Sequence, residues 1–539
     1  MRNGWVRRGV FGALAAALVA TLGPWMPGSG AAPALAASRG ASETVRIAIA
    51  TDPTGLDPES VLQNEAGFVM STIYDGLTKY RPGTTTVEPG LATSWAISQS
   101  GRRYVFTLRR GVTFQDGTPF DAKAVTAWLD RILNPRDPHY VGNQQGINDF
   151  NHFTFGDVGS YKALAPDKVA ITLKKPNAEF LADLAMAWSG VTSPTAVDRY
   201  GYGLMTHPVG TGPFAFVRWA RGQYIELRAN PDYWGGAPRV GEIIFQEIPE
   251  ASVRLLSLEQ GKVQILGDVP PQDVARLRHM ASVRVLTQPG LAVDGISLPV
   301  QTPPFNDVRV RRALNYAVDK RVLAKDLFFG LAKPMNSPDS TDEWSYVAQT
   351  SYTYDLATAK ALLREAGYPN GFAATLYTYT NPRGYNPAGG AKVAEAIQGD
   401  LARVGVRLTI RQMDFAAFLS TVRKASFSGM ASSGWSGDNG DPDDFMQPLY
   451  GCTAFDTGNS SHYCNKQVDA WFAEGLRTTS EAARKKIYAQ VEARIWRDAP
   501  WIYLVYATQV RAESADVHGY LLNPTEMFFD MQRVSISSH

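Results

Sequence analysis

The segment GAKVAEAIQGDLARVGVRLTI (residues 390–410) constrains the fold more than any other part of the chain. Its apolar residues recur at steps of four, four and three, which is the spacing of one helix face. They are Val393, Ile397, Leu401 and Val404. The helix then stops at Gly405, and VRLTI has the β-branched composition of a strand. A helix that leads through glycine into a strand suggests αβ units packed on a sheet, so we predict an α/β fold.

Other segments agree with this prediction. Apolar, partly alternating runs bounded by Gly, Pro, Asp or Asn predict strands in the first half of the chain. They lie within residues 45–50, 103–114, 167–176 and 223–234. In the second half, residues 306–328 and 353–372 have helical periodicity, with Asp355 as an N-cap and Gly367 at the C-terminal end of the second helix.

The first residues have the features of a signal peptide. Three arginines and no acid precede an apolar run at residues 10–22, which is too short to span a bilayer comfortably. These arginines are Arg2, Arg7 and Arg8. Residues 34–36 (Ala-Leu-Ala) form a small-x-small cleavage site. We therefore predict a signal peptide at 1–36, of the general secretory rather than the twin-arginine kind, then a tail at 37–42, and export to the periplasm or the extracytoplasmic face of the membrane.

Size and charge limit what the mature chain can be. It would have roughly 500 residues, more than one hydrophobic core usually supports, so we expect at least two lobes. The full chain has 53 basic and 51 acidic residues and no basic run, which argues against nucleic acid or an anionic membrane as partner. No later stretch of 18 apolar residues occurs, and the first cysteine is Cys452, so we expect a soluble protein without a lipid anchor.

The two cysteines, Cys452 and Cys464, predict one disulfide in an exported protein. A two-cysteine metal site is the alternative. It would need further ligands, and His462 stands alone beside them without a second histidine at ligand spacing.

Sequence motifs of catalysis are missing, so an enzyme is not predicted. The chain has no G-x-S-x-G, no H-E-x-x-H, no P-loop and no G-x-G-x-x-G after a strand. The acidic stretch GWSGDNGDPDDF (434–445) also fails the EF-hand pattern, because its twelfth position counted from Asp438 is Leu449 instead of glutamate. We expect neither a metal nor a cofactor, and a secreted hydrolase remains the less favoured alternative.

Six segments together resemble one family, the extracytoplasmic solute-binding proteins of ABC importers for di- and oligopeptides (family 5). They occur in the family's order and span nearly the whole mature chain. The segments are TDPTGLDP (51–58), STIYDGLTKYRPGTTTVEPGLATSWAIS (71–98), YVFTLRRGVTFQDGTPFDAKAV (104–125), VGTGPFAFVRW (209–219), NPDYWGGAP (230–238) and DVRVRRALNYAVDK (307–320).

Three further segments look closest to the dipeptide-binding members. They are GWSGDNGDPDDF (434–445), PRGYNPAGGAKVAEAIQGDLARVGV (382–406) and LYGCTAFDTGNSSHYC (449–464). The resemblance implies that Asp438 pairs with the ligand's α-ammonium and Arg383 with its α-carboxylate. It also implies the disulfide between the two cysteines.

The resemblance further implies a two-lobed periplasmic-binding-protein fold with an extra subdomain in the first lobe and hinge closure. Lobe I would comprise residues 43–290 and 508–539, and lobe II residues 291–507. The protein would act as a monomer that delivers short peptides to the permease subunits of the importer. Other cargo on the same fold stays open: a nickel complex, haem, an opine or an oligosaccharide.

The chemistry of a dipeptide explains why an aspartate and an arginine would be needed. Both charged ends lose water when the ligand is enclosed, so each requires an opposite charge, and an arginine fork matches a carboxylate with two parallel bonds. We expect Trp435, Gly434 and Tyr385 to line the same site.

The other aspartates of the acidic stretch receive structural roles. We expect Asp441 to start a turn with Pro442, and Asp443 or Asp444 to cap the helix that follows.

Overall fold

The computed structural model describes residues 43–61, 63–98, 100–143 and 154–537. The predicted signal peptide (1–36) and tail (37–42) lie outside the described residues. Within the described part of the chain, no helix has both the length and the apolar character required to cross a membrane.

The described strands form one large sheet and three smaller ones. In chain order they are β1 (Thr44–Ile49), β2 (Thr78–Tyr80), β3 (Val87–Pro89), β4 (Ala92–Ser98), β5 (Arg103–Leu108), β6 (Val158–Ala165), β7 (Lys168–Leu173), β8 (Phe214–Ala220), β9 (Tyr224–Ala229), β10 (Glu242–Glu247), β11 (Ile265–Leu266), β12 (Val283–Pro289), β13 (Ala292–Ser297), β14 (Ala332–Pro334), β15 (Ala373–Tyr379), β16 (Arg407–Met413), β17 (Met430–Ser436), β18 (Trp501–Ser514), β19 (Val517–His518) and β20 (Ser535–Ile536).

The described α-helices alternate with these strands most regularly in the second half of the chain. They are α1 (Asn64–Ile73), α2 (Ala122–Leu133), α3 (Phe180–Asp183), α4 (Pro194–Tyr200), α5 (Ala251–Glu259), α6 (Val274–Arg278), α7 (Val308–Ala317), α8 (Lys320–Val322), α9 (Leu356–Glu365), α10 (Gly390–Ala402), α11 (Phe415–Val422), α12 (Pro442–Tyr450), α13 (Lys466–Arg477) and α14 (Glu481–Asp498).

The large sheet joins both halves of the chain through β18. Its strand order is β16-β15-β17-β13-β18-β11-β1-β10-β9-β8, and β12 and β14 also pair with β18. The first part of β18 pairs with β13 and β14, and its second part, from Thr508 onward, pairs with β12 and β11. A separate antiparallel sheet, β4-β5-β7-β6, packs against α2 around the buried Trp128 and Phe106.

Hydrophobic cores form on each side of β18. One cluster combines β1, β9 and β10 with the C-terminal segment, including Ile47, Phe245 and Phe529. Another combines α7, α10 and the strands between them, and it contains the predicted helix face of Val393 and Ile397. The helix and strand predicted at 390–410 are therefore α10 and β16, and Gly405 between them has φ +84°.

One predicted helix is interrupted. Residues 306–328 form α7, α8 and a π-helical turn at Leu323–Leu327 instead of one helix. The carboxylate of Asp319 accepts the N–H groups of Arg321 and Val322, at 3.1 and 3.2 Å, and so caps a new helix. A side chain that caps in this way competes with the helical backbone bonds, which is why the apolar periodicity alone gave too long a helix.

The acidic stretch begins α12, although the predicted cap was wrong. Asp441, and neither Asp443 nor Asp444, is the N-cap: its Oδ1 accepts the N–H of Asp443 at 3.0 Å, and Pro442 takes the first helical position. The same carboxylate forms two bonds of 2.6 Å with Arg484 of α14, and both side chains are buried. The hydroxyl of Tyr488 donates to Asp443 at 2.9 Å.

A disulfide joins Cys452 and Cys464 after α12. The predicted metal alternative would use these two sulfurs with the nearby carboxylate of Asp469. Because the sulfurs are bonded to each other, they are not thiolate ligands here.

Replacing Arg484 should test how much the buried ion pair contributes. We expect Arg484→Met to lower the free energy of unfolding by about 3–5 kcal/mol, because Asp441 is left buried without its cation. Arg497→Met is a matched control, since Arg497 is an exposed arginine of the same helix and forms no salt bridge with any described residue. Urea unfolding at neutral pH measures both, and equal losses for the two variants would contradict the prediction.

Candidate functional site

One edge of strand β17 is open and forms a wall of the cavity that the predicted ligand-binding residues line. β15 pairs with β17 only at Met430 and Ala431, whereas β13 pairs with β17 along residues 431–436. The following residues of β17 thus have one edge without a partner strand. All five, 432–436, line a cavity of about 640 Å³. A free edge of this kind offers backbone N–H and C=O groups to a ligand.

The cavity brings together every ligand-binding residue predicted from the sequence. Asp438, Arg383, Trp435, Gly434 and Tyr385 all line it. Whether they bind a ligand stays a prediction, but their convergence on one cavity is a property of the fold.

Asp438 is a half-buried carboxylate without a cationic partner. Its backbone N–H donates to Asp444 at 2.9 Å, and no described Lys, Arg or His forms a salt bridge with its side chain. Burial, and then the negative charge of Asp444, raise the pKa of Asp438 well above its usual range. A cation placed beside Asp438 would reverse part of this shift, so the geometry favours a positively charged group of a ligand.

Arg383 is an exposed cation held over an aromatic ring. Its guanidinium carbon lies 3.7 Å from the centre of the Phe415 ring, at the start of α11. The backbone N–H of Arg383 donates to Asn386 at 3.0 Å, and that of Asn386 donates back at 2.9 Å, which closes the loop. Within the described residues its guanidinium hydrogen-bonds the Tyr385 phenol but forms no salt bridge with a carboxylate, so its charge has no anionic partner.

Gly434 and Tyr385 depend on each other. A Cβ atom on Gly434 would lie 2.2 Å from Cδ2 of the Tyr385 ring, so only glycine allows the ring to occupy this place. Burial raises the pKa of the Tyr385 phenol, and the positive charge of Arg383 partly opposes this shift. Tyr385 is therefore a neutral hydrogen-bonding group at the cavity wall.

Trp435 packs against the protein core and also lines the cavity. The side chain is half-buried and packs against the core cluster that contains Phe445 and Trp501, and it also lines the cavity. Its indole N–H has no hydrogen-bond partner among the described residues.

Several residues that line the cavity could not be identified from the sequence. Asn64, Trp188 and Met527 come from the beginning and the end of the chain, and only the tertiary fold places them opposite β17. Arg423 is a second guanidinium at the cavity, and its Nε–H donates to the carbonyl of Thr457 at 2.7 Å. Burial lowers the pKa of Arg423 from its usual value, with Asp456 acting in the opposite direction.

Comparison with known proteins gives consistent matches over almost the whole chain. A family model described as "Bacterial extracellular solute-binding proteins, family 5 Middle" matches residues 86–457. Heme-binding protein A of Haemophilus influenzae is 32% identical over 502 residues, which cover 90% of this chain and 91% of that protein. Dipeptide-binding protein of Escherichia coli K12 is 31% identical over 487 residues, which cover 88% and 91%.

A solved structure supports the same relationship. The ABC transporter-associated periplasmic binding protein DppA of Helicobacter pylori, in complex with the peptide STSA, superimposes with a TM-score of 0.78 at 30% identity. The superposition covers 92% of this chain and 98% of that chain, which confirms the predicted α/β, two-lobed periplasmic-binding-protein architecture. The family model and these relatives together show that the chain belongs to the bacterial extracellular solute-binding proteins of family 5.

Proposed function

We propose that this protein captures dipeptides or other short peptides between two lobes and delivers them to the permease of an ABC importer. The observation that carries the proposal is the cavity lined by both Asp438, a carboxylate with no cationic partner among the described residues, and Arg383, a guanidinium with no anionic partner among them. A zwitterionic peptide supplies the two missing charges. The dipeptide-binding relative and the peptide complex support this class of cargo.

Lobe I would consist of residues 43–290 and 508–539, and lobe II of residues 291–507. The pairing change along β18 near Thr508 and the crossing from β12 to β13 near residue 291 support these boundaries. Contacts between the two parts surround the acidic stretch: the Asn439 amide donates to Asp183 at 2.7 Å, and Tyr80 donates to the Asn439 carbonyl at 3.0 Å. Closure of the lobes would enclose a ligand next to Asp438.

The protein would bind its cargo without changing it, after export from the cytoplasm and as a monomer. Haem is a second candidate cargo, because a haem-binding relative is equally similar in sequence. Haem has no amino group, so it would leave Asp438 without a partner, and we therefore favour peptides. Titration with haemin, followed by its absorbance, and calorimetry with a dipeptide distinguish the two.

Acetylation of the ligand's amino group tests the role of Asp438. We expect N-acetyl-Ala-Ala to bind the wild type more weakly than Ala-Ala by about 2–5 kcal/mol, because the carboxylate loses its ammonium partner. In Asp438→Asn, Ala-Ala should itself bind weakly, and acetylation should cost little more. Calorimetry of all four combinations gives the coupling energy, and equal acetylation costs in both proteins would show that Asp438 does not hold the amine.

Amidation of the ligand's carboxylate tests Arg383 against Arg423. We expect Arg383→Lys to weaken Ala-Ala binding about tenfold, because lysine cannot form the two parallel bonds. The wild type and Arg423→Lys should both bind Ala-Ala-amide much more weakly than Ala-Ala. In Arg383→Lys, the two ligands should bind with similar affinities. Loss of the amidation effect in Arg423→Lys instead would assign the carboxylate to Arg423.

The affinity for Ala-Ala should depend on pH with a predictable sign. Burial and Asp444 raise the pKa of Asp438, and the ammonium requires the ionised carboxylate, so binding releases a proton and tightens as pH rises through the raised pKa of Asp438. Above pH ~8 the ligand's own amine loses its proton and affinity should fall. Calorimetry across this range measures both limbs. The acidic limb should be absent in Asp438→Asn, and its persistence there would assign it to another group.

A further inference from the structure

Asp294 is a buried carboxylate that the proposed binding mode does not use. It lies in β13, only 1% of its surface is exposed, and no described side chain donates a hydrogen bond to either of its carboxyl oxygens. Burial raises the pKa of Asp294 well above its usual range, and the neighbouring N–H of Gly295 only partly opposes this. Buried carboxyl groups normally have partners, so its position next to a ligand cavity requires an explanation.

The strand register places Asp294 directly opposite Gly434. The two residues are partners in the antiparallel pair β13–β17, so their side-chain positions are on the same face of the sheet. Gly434 has no side chain, and the ring of Tyr385 fills the space in front of it. Gly434 and Tyr385 both line the cavity, and Asp294, which does not, is the strand partner of the first and acts electrostatically on the second.

Few charged groups act on the region around Asp294 and Tyr385. After burial, the negative charge of Asp294 is among the causes that raise the pKa values of Tyr379 and Tyr385, and Arg383 lowers that of Tyr385. The rings of Tyr379 and Tyr385 are perpendicular, with centres 6.3 Å apart. Among the described residues, Asp294 has no salt bridge to a Lys, Arg or His. A cation from outside the protein would therefore be its first ionic partner.

We propose that Asp294 forms a second anionic subsite, which selects short peptides whose carboxyl-terminal residue is Lys or Arg. The inference rests on the proposed function. Arg383, the proposed carboxylate partner, is two residues before Tyr385, so the last side chain of the peptide lies nearest Tyr385 and Gly434. That side chain would displace the Tyr385 ring from Gly434 and reach Asp294.

The proton balance of this step is simple. The raised pKa of Asp294 favours its protonated form in the ligand-free protein, and this proton passes to solvent when the ligand's ammonium or guanidinium arrives. The ligand group remains protonated, and an ion pair forms in the cavity wall. Binding of a lysine peptide should thus release one proton more than binding of its uncharged analogue.

Calorimetry with Ala-Lys and Ala-norleucine tests the subsite, because the two ligands differ chiefly in the terminal charge. We expect the wild type to bind Ala-Lys at least tenfold more tightly. Repeating the titrations at pH 7 in phosphate and in Tris should show one additional proton released with Ala-Lys. In Asp294→Asn, both the preference and the additional proton should be lost, while Ala-Ala affinity and thermal stability are retained.

Asp339→Asn is the matched control. Asp339 is also fully buried, but it accepts hydrogen bonds from Ser340 and Ser345 and, unlike Asp294, is not paired with a strand residue that lines the cavity, so its variant should keep the lysine preference. Equal affinities of the wild type for Ala-Lys and Ala-norleucine would overturn the inference, even if Asp294→Asn failed to fold. A preference that persists in Asp294→Asn would also overturn it. Failure of all dipeptides, Ala-Ala included, would instead refute the proposed function on which it rests.

Discussion

The guanidinium of Arg484 is the interaction on which the arrangement of the acidic stretch depends. It binds both oxygens of Asp441, which is also the N-cap of α12, and so fixes the point at which β17 gives way to the helix. Asp443 and Asp444 then point to partners within the protein, a tyrosine hydroxyl and a backbone N–H. Only Asp438, just before this anchored turn, is left facing the cavity without a cation. One buried ion pair thus separates structural acids from the acid available to a ligand.

The second constraint is the early end of the pairing between β15 and β17. A sheet edge inside a protein is costly unless its N–H and C=O groups find partners. Here the edge at residues 432–436 opens into the cavity, beside the guanidinium groups of Arg383 and Arg423 and the carboxylates of Asp438 and Asp456. In the proposed binding mode, the backbone would hydrogen-bond a peptide of any sequence, while the charged side chains would bind its two ends. The combination accounts for broad cargo with a fixed length, and it leaves side-chain preference to the positions around Tyr385.

Local sequence patterns predicted the helices and strands well, but they did not predict which distant residues the fold brings together. Apolar spacing located α10 and β16, and resemblance to the family located Arg383 and Asp438. The helix cap was misassigned although Pro442, which is favoured at the first helical position, points to Asp441 as the N-cap; the contact of Asp441 with Arg484, 43 positions away, has no local signal. The cavity wall opposite β17 comes from distant parts of the chain, for which one sequence has no short-range signal.

The length of β18 has a mechanical consequence. The strand is 14 residues long and is paired along nearly all of it, first with the strands of one half and then with those of the other. A paired strand can twist or bend but cannot stretch or swing like a flexible linker. Relative motion of the two halves would therefore be concentrated where the partners change, near Thr508, and would follow few directions. Such a joint would make the empty and loaded forms two distinct shapes, between which a membrane partner could discriminate.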